Sequence, residues 1–153
     1  MPIRTATAFA LISALVAASP AQAIPGPFII FFEFDSAELS PAAPGILENQ
    51  LETLRVTRPR GFVISGHTDR AGSIDYNQRL SCHRARAVRD WLVARGLSPE
   101  IIDVAGFGEE RPSVETEDGI AEVQNRRVEL TPFPDHAPSH PGSLAMAGVN
   151  YIC

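Results

Sequence analysis

The order of hydrophobic segments predicts an α+β domain, a two-layer α/β sandwich with its helices on one face of the sheet. Three observations carry this. "FIIFFEFDSA" (28–37) and "GFVISGHTD" (61–69) are runs of aromatic and β-branched residues with the length of buried strands. Each is followed by a stretch in which apolar residues recur at helical spacing. Two further extended segments, in 98–112 and 125–133, complete the order strand, helix, strand, helix, strand, strand, which packs as helices laid over a sheet.

Taken in order, the chain opens with "MPIRTATAFALISALVAASPAQA": a basic residue, an apolar run through Val16 and the small-residue ending Ala21-Gln22-Ala23. That is the pattern of a secretory signal peptide (1–23) cut after Ala23. Its apolar core is too short to span a bilayer, so no transmembrane segment is expected in the mature chain. Ile24, not a cysteine, stands directly after the cut, so lipid attachment at a new N-terminal cysteine is not expected either. Residues 24–27 make a short linker, 28–134 the folded domain, and 135–153 a flexible tail in which proline, glycine, serine and alanine recur without period.

Within the domain, Ser40-Pro41 offers an N-cap and a proline at the first helical position, and Ala43, Leu47, Leu51 and Leu54 continue the helix. Pro44-Gly45 weakens its first turn. A long second helix is expected from about Ser73 to Arg95, where Gly96 stops it. "SPEIIDVAGFGEERP" (98–112) reads as a short helical turn leading into an extended segment closed by glycines and Pro112. "VETEDGIAEV" is an acidic connector, and "NRRVELTPF" (125–133) alternates as a final strand.

The formal net charge is −5, and removing Arg4 with the leader makes the mature chain more acidic still. An acidic export product is a poor partner for nucleic acid or an anionic membrane. All 13 basic residues are arginine, a side chain suited to bidentate carboxylate recognition; genome-wide codon bias accounts for the count equally well. Cys82 and Cys153 sit in an exported, oxidising context, and whether they pair is open at this level.

"GHTDRAGSIDYNQRLSCHRA" (66–85) concentrates most of the reactive side chains. A zinc site there would recruit His67, Asp69, Cys82 and His83. On a helical wheel with Leu80 at zero, Ala87, Trp91, Val88 and Leu92 place the buried stripe near about 40°. Cys82 then falls near about 200°, facing outward, and His83 near about −60°, pointing well away from it. Adjacent helix residues do not converge on one ion, so no metal is called for; no other cofactor is expected. Ser81 lacks a nucleophile elbow, and His67 and Asp69 have no third triad member. No catalytic residue is assigned, and a metal-dependent hydrolase using His67, Asp69 and His83 is only a remote rival.

Arg84 is different. It falls near about 40° on the wheel, in the middle of the apolar stripe, where a guanidinium is costly to desolvate without a partner. Asp69, at the end of the preceding strand, is the nearest obvious one. Either the two form a half-buried salt bridge, or they line a pocket and face a ligand that carries the opposite charges.

The blocks "FEFDSAEL", "GHTDRAGSIDYNQRLSCHRARAVRDWL", "GFGEERP" and "NRRVEL" occur in this order, and together they resemble the OmpA-like peptidoglycan-binding domain from about Phe28 to Pro134. The resemblance implies a four-stranded mixed sheet with helices on one side, no enzymatic activity, and non-covalent binding of peptidoglycan through the diaminopimelate of its peptide stem. It also implies that Asp69 and Arg84 grip the terminal amino and carboxylate groups of that residue. Phe34, Asp35 and Ser36 would border the pocket, Asn77 and Leu80 would face it from the long helix, and Arg126 would assist, with Arg127 structural. Two departures, Ser65 where an acidic residue is frequent and "AEVQNRR" before the arginine pair, leave the clamp untouched. The implied location is the periplasm, with peripheral association to the outer membrane and contacts to other envelope proteins left open. The alternative is a protein-interaction or scaffold module with a vestigial pocket.

Overall fold

The computed structural model describes residues 27–132 and Cys153; the expected leader, most of the linker and all of the tail except its last residue lie outside these residues. Four strands, β1 (Phe28–Phe31), β2 (Phe62–Gly66), β3 (Ile102–Gly106) and β4 (Arg127–Pro132), form one sheet in the order β1-β4-β2-β3. β2 and β3 are parallel, while β4 is antiparallel to both β1 and β2, so the sheet is mixed. Two helices, α1 (Ala43–Thr57) and α2 (Ile74–Val93), accompany it, with single 3-10 turns at Pro99–Ile101 and Val123–Asn125. This is the expected α+β sandwich.

Pleat alternation puts one set of side chains inward. Ile30 lies opposite Val128, Leu130 opposite Ile64, and Phe62 opposite both Ile102 and Pro132. These apolar residues meet Leu47, Leu51 and Leu54 of α1 and Ala85, Val88 and Leu92 of α2 in a single core. The other face shows Ile29 against Glu129 and Phe31 against Arg127, the mixed pattern of a face without helices.

Strand limits are shorter than the apolar runs. β1 ends at Phe31 and β2 at Gly66, because the chain beyond each turns away to build loops. α1 begins at Ala43, capped by Ala42 without a side-chain bond, rather than at Pro41 under a Ser40 cap. Ser40 instead lends its carbonyl to the N–H of Ala43 at 3.0 Å. Pro44 thereby falls in the first turn, where its missing N–H costs no helical hydrogen bond. α2 starts as expected, with the Ser73 hydroxyl accepting from the N–H of Tyr76. It ends at Val93, short of Arg95, and Gly96 at φ 93° turns the chain out.

The buried side of α2 is rotated from the expected stripe. Its buried residues are Asn77, Ser81, Arg84, Ala85, Val88 and Leu92, centred near about 90° on the same wheel. Leu80 and Trp91 are flank residues rather than central ones. The cause is close approach. A Cβ on Gly66 would lie 1.9 Å from the Ser81 carbonyl oxygen, and one on Gly106 would lie 2.6 Å from the Cys82 Sγ. Helix and sheet meet where side chains are smallest, and hydrophobicity alone misses such a contact.

Cys82 is bonded to Cys153, with Cα atoms 5.6 Å apart. The backbone N–H of Cys153 donates to the Val104 carbonyl at 3.1 Å, on the side of β3 away from β2, and Arg86 donates to the Cys153 carbonyl. The pairing that the sequence left open thus ties the last residue to α2 and to an edge strand. No helix of the described residues is long and apolar enough to cross a membrane.

Candidate functional site

Because β1, β2 and β3 run the same way and β4 runs against them, the carboxyl ends of three strands and the start of the fourth meet at one end of the sheet. Open α/β sheets commonly bind ligands at the carboxyl ends of their strands. Here that end gathers the loop after β1, the turn after β2, the amino end of α2 and the connector before β4.

Asp69 lies in the turn after β2. Its Oδ2 is 3.1 Å from Nη1 of Arg126, an ion pair whose side chains are only 5% and 13% exposed. The same oxygen accepts from the N–H of Glu122 at 3.3 Å, and Oδ1 accepts from the N–H of Ala71 at 3.4 Å. Of the two arrangements that the wheel left open, the direct Asp69–Arg84 salt bridge is not formed; Arg126, at the start of β4, is the arginine paired with Asp69. The "NRR" block was its sequence signal; what sequence could not show is that β4 inserts between β1 and β2.

Arg84 is 0% exposed and acts on backbone. Its Nε donates to the Ser36 carbonyl at 2.8 Å, Nη1 to that of His67 at 3.0 Å and Nη2 to that of Glu33 at 3.0 Å. Its guanidinium also lies 5.4 Å from the Phe32 ring centroid. Burial lowers its pKa to about 10, against the attraction of Asp69. Charge-assisted bonds to three carbonyls repay part of that desolvation.

Asp35 and Ser36 lie in the loop whose carbonyls Arg84 holds, and Phe34 stands at its tip, 58% exposed. The Tyr76 hydroxyl donates to Asp35 Oδ1, and this bond raises the tyrosine pKa. Tyr76 was not among the expected residues; its only signal was an aromatic at an exposed position of the first turn of α2. Asn77 is buried and donates to the Asp69 carbonyl at 3.2 Å and to Glu109 Oε2 at 2.5 Å, so it braces the Asp69 turn. Leu80 is partly buried on the same helix, between Asn77 and Arg84. Arg127 bonds Glu129 at 2.7 Å and the Arg111 carbonyl at 3.1 Å, a structural role.

His67 is buried and stacks on Phe107 with ring centroids 5.5 Å apart. Burial, together with Arg127 and Arg111, lowers its pKa to about 3, so it is neutral at any ordinary pH. Cys82 is committed to its disulfide, and His83 is exposed on the far side of α2.

Residues 31–126 match the OmpA family. The chain belongs to this family. The OmpA-family domain here is 40% identical over 100 residues to the peptidoglycan-associated lipoprotein of Pseudomonas aeruginosa, across 65% of this chain and 59% of the relative. It thus spans about three fifths of the length of peptidoglycan-associated lipoproteins that it matches. The crystal structure of the peptidoglycan-associated lipoprotein from Burkholderia pseudomallei superposes with a TM-score of 0.62 at 29% identity, over 67% of this chain and 87% of that one. The cell wall anchor of the T6SS from Pseudomonas aeruginosa gives 0.58 at 26% identity, over 68% and 75%. The OmpA-family fold, with its four-stranded mixed sheet, is thereby shared with proteins of the cell wall and envelope.

Proposed function

We propose that this chain is a peptidoglycan-binding module of the bacterial cell envelope, acting on the periplasmic side as an anchor and performing no chemistry. Its ligand is the diaminopimelate of the peptide stem. The observation that carries this reading is the preformed, nearly buried Asp69–Arg126 pair with Arg84 behind it. An amino-acid centre carries an ammonium and a carboxylate a few ångströms apart. It can insert into such a pair by giving its ammonium to Asp69 and its carboxylate to Arg126; the two N–H groups of Arg84 that hold no carbonyl, fully buried in this arrangement, reach the carboxylate only as the pair opens. Each protein charge then exchanges one partner for another, and neither is left bare, which is the costly outcome.

Binding of a single stem is expected to be modest, since the charges must shed water and existing partners. Many stems on one wall add avidity. The resemblance to peptidoglycan-associated lipoproteins and to a cell wall anchor supports the same reading.

The test is retention on purified cell-wall sacculi, with free diaminopimelate or free lysine as competitor, for the wild type, Asp69→Ala, Asp69→Asn, Arg84→Ala and Arg84→Lys. Circular dichroism checks that each variant is folded. Retention should fall in the folded variants, and diaminopimelate should compete better than lysine. Undiminished retention in both Asp69→Ala and Arg84→Ala rejects the clamp.

A further inference from the structure

The turn Glu33–Ser36 is held more firmly than an exposed loop requires. Arg84 takes the carbonyls on both sides of its tip, those of Glu33 and Ser36. Arg126 takes the Phe32 carbonyl at 3.2 Å, and the N–H of Glu38 donates to Ser36 Oγ at 3.0 Å. Tyr76 ties down the Asp35 carboxylate. Asp35 itself sits at φ 52°, a conformation that non-glycine residues keep only where the surroundings enforce it.

This pinned turn presents Phe34 to water, 58% exposed, with the Arg126 guanidinium 6.0 Å from its ring centroid. Tyr76, 40% exposed, joins it through Asp35. Two aromatic rings thus stand in solvent on a rigid support, with the Arg126 of the Asp69–Arg126 pair beside Phe34. Rings so fixed lose little conformational entropy when a flat partner stacks on them. Rigid exposed aromatics beside a polar pocket mark a contact surface.

We propose that the Phe34–Tyr76 ridge is a saccharide-stacking subsite, which takes the pyranose face of the amino-sugar chain while the charged pocket takes the stem. This rests on the peptidoglycan reading above. The stem's ammonium and carboxylate groups belong with Asp69 and the two arginines. The N-acetylated sugars carry no charge for that pocket. They offer a face of C–H bonds, which meets the negative π-face of an aromatic ring, and a rim of hydroxyls. Those hydroxyls meet the polar edge of the ridge, where the Tyr76 hydroxyl and the Asp35 carboxylate stand.

Titration with two purified muropeptides, the disaccharide-tetrapeptide and the same tetrapeptide without its sugars, tests the subsite. The wild type should favour the disaccharide form by about two- to tenfold. That ratio should fall towards one in Phe34→Ala and persist in Phe34→Trp, which keeps a stacking face. Equal affinities in the wild type, or a ratio unchanged by Phe34→Ala, overturn the subsite while leaving the stem pocket intact. Binding of neither muropeptide overturns the peptidoglycan reading, and the subsite with it.

Discussion

Breaking the Cys82–Cys153 bond should lower stability sharply while leaving the fold in place. The bond joins residues 71 apart. In the chain-entropy account, closing a loop of that size removes about 4 kcal/mol of freedom from the unfolded state. Opening it also frees Cys153 from the Val104 carbonyl, worth about 1 kcal/mol more. For a domain of roughly this size, each kcal/mol moves the melting point by about 4 °C, so the loss amounts to roughly 15–20 °C. Thermal melts of the wild type with and without a phosphine reductant, beside Cys82→Ala and Cys153→Ser, measure it. The core of helices and sheet does not pass through the bond, so the variants should still melt cooperatively. A shift below about 3 °C, or two thiols titrating in the denatured, unreduced protein, would refute the reasoning.

Three further outcomes are expected. Gly66→Ala should cost about 3 kcal/mol or more in denaturant titrations, because its Cβ would lie 1.9 Å from the Ser81 carbonyl oxygen, a backbone atom that cannot step aside. Gly45→Ala, with nothing within 4 Å of the new methyl, should stabilise α1 by about 0.5–1 kcal/mol. His67 is neutral when folded, its pKa lowered to about 3, whereas the unfolded chain titrates near its ordinary 6.5. The unfolded state therefore binds the extra proton, and this residue's share of stability is lost as pH falls from 6.5 towards 3, at up to about 1.4 kcal/mol per pH unit. Urea titrations at pH 7 and pH 5 should show a steeper loss in the wild type than in His67→Phe, which keeps the stack on Phe107; equal losses would count against a buried neutral imidazole.

Several residues of the candidate site stand out in local pattern. "HTD" closing a strand and an arginine amid apolar helix positions marked Asp69 and Arg84, because a charge where the period demands a hydrophobe needs a partner. Periodicity named the elements, but their limits moved where loops took over, as at Pro41 and Phe32. The buried side of α2 departs from the wheel because bulk does not mark it. Instead Ser81 and Ala85 face Gly66, and Ser81 and Cys82 face Gly106, at distances only small side chains permit.

By itself the sequence determined the element order, the class of fold and the charged residues that cannot be ordinary surface. Spacing and side-chain chemistry are local, so they can be read along the chain. Only the tertiary structure decided which of those charges meet. Asp69 pairs with Arg126, 57 residues away, because β4 inserts between β1 and β2. Arg84 turns to the carbonyls of Glu33, Ser36 and His67. Cys153 reaches α2 across 71 residues. Such pairings depend on which strands become neighbours, a property of the folded sheet that no single segment carries.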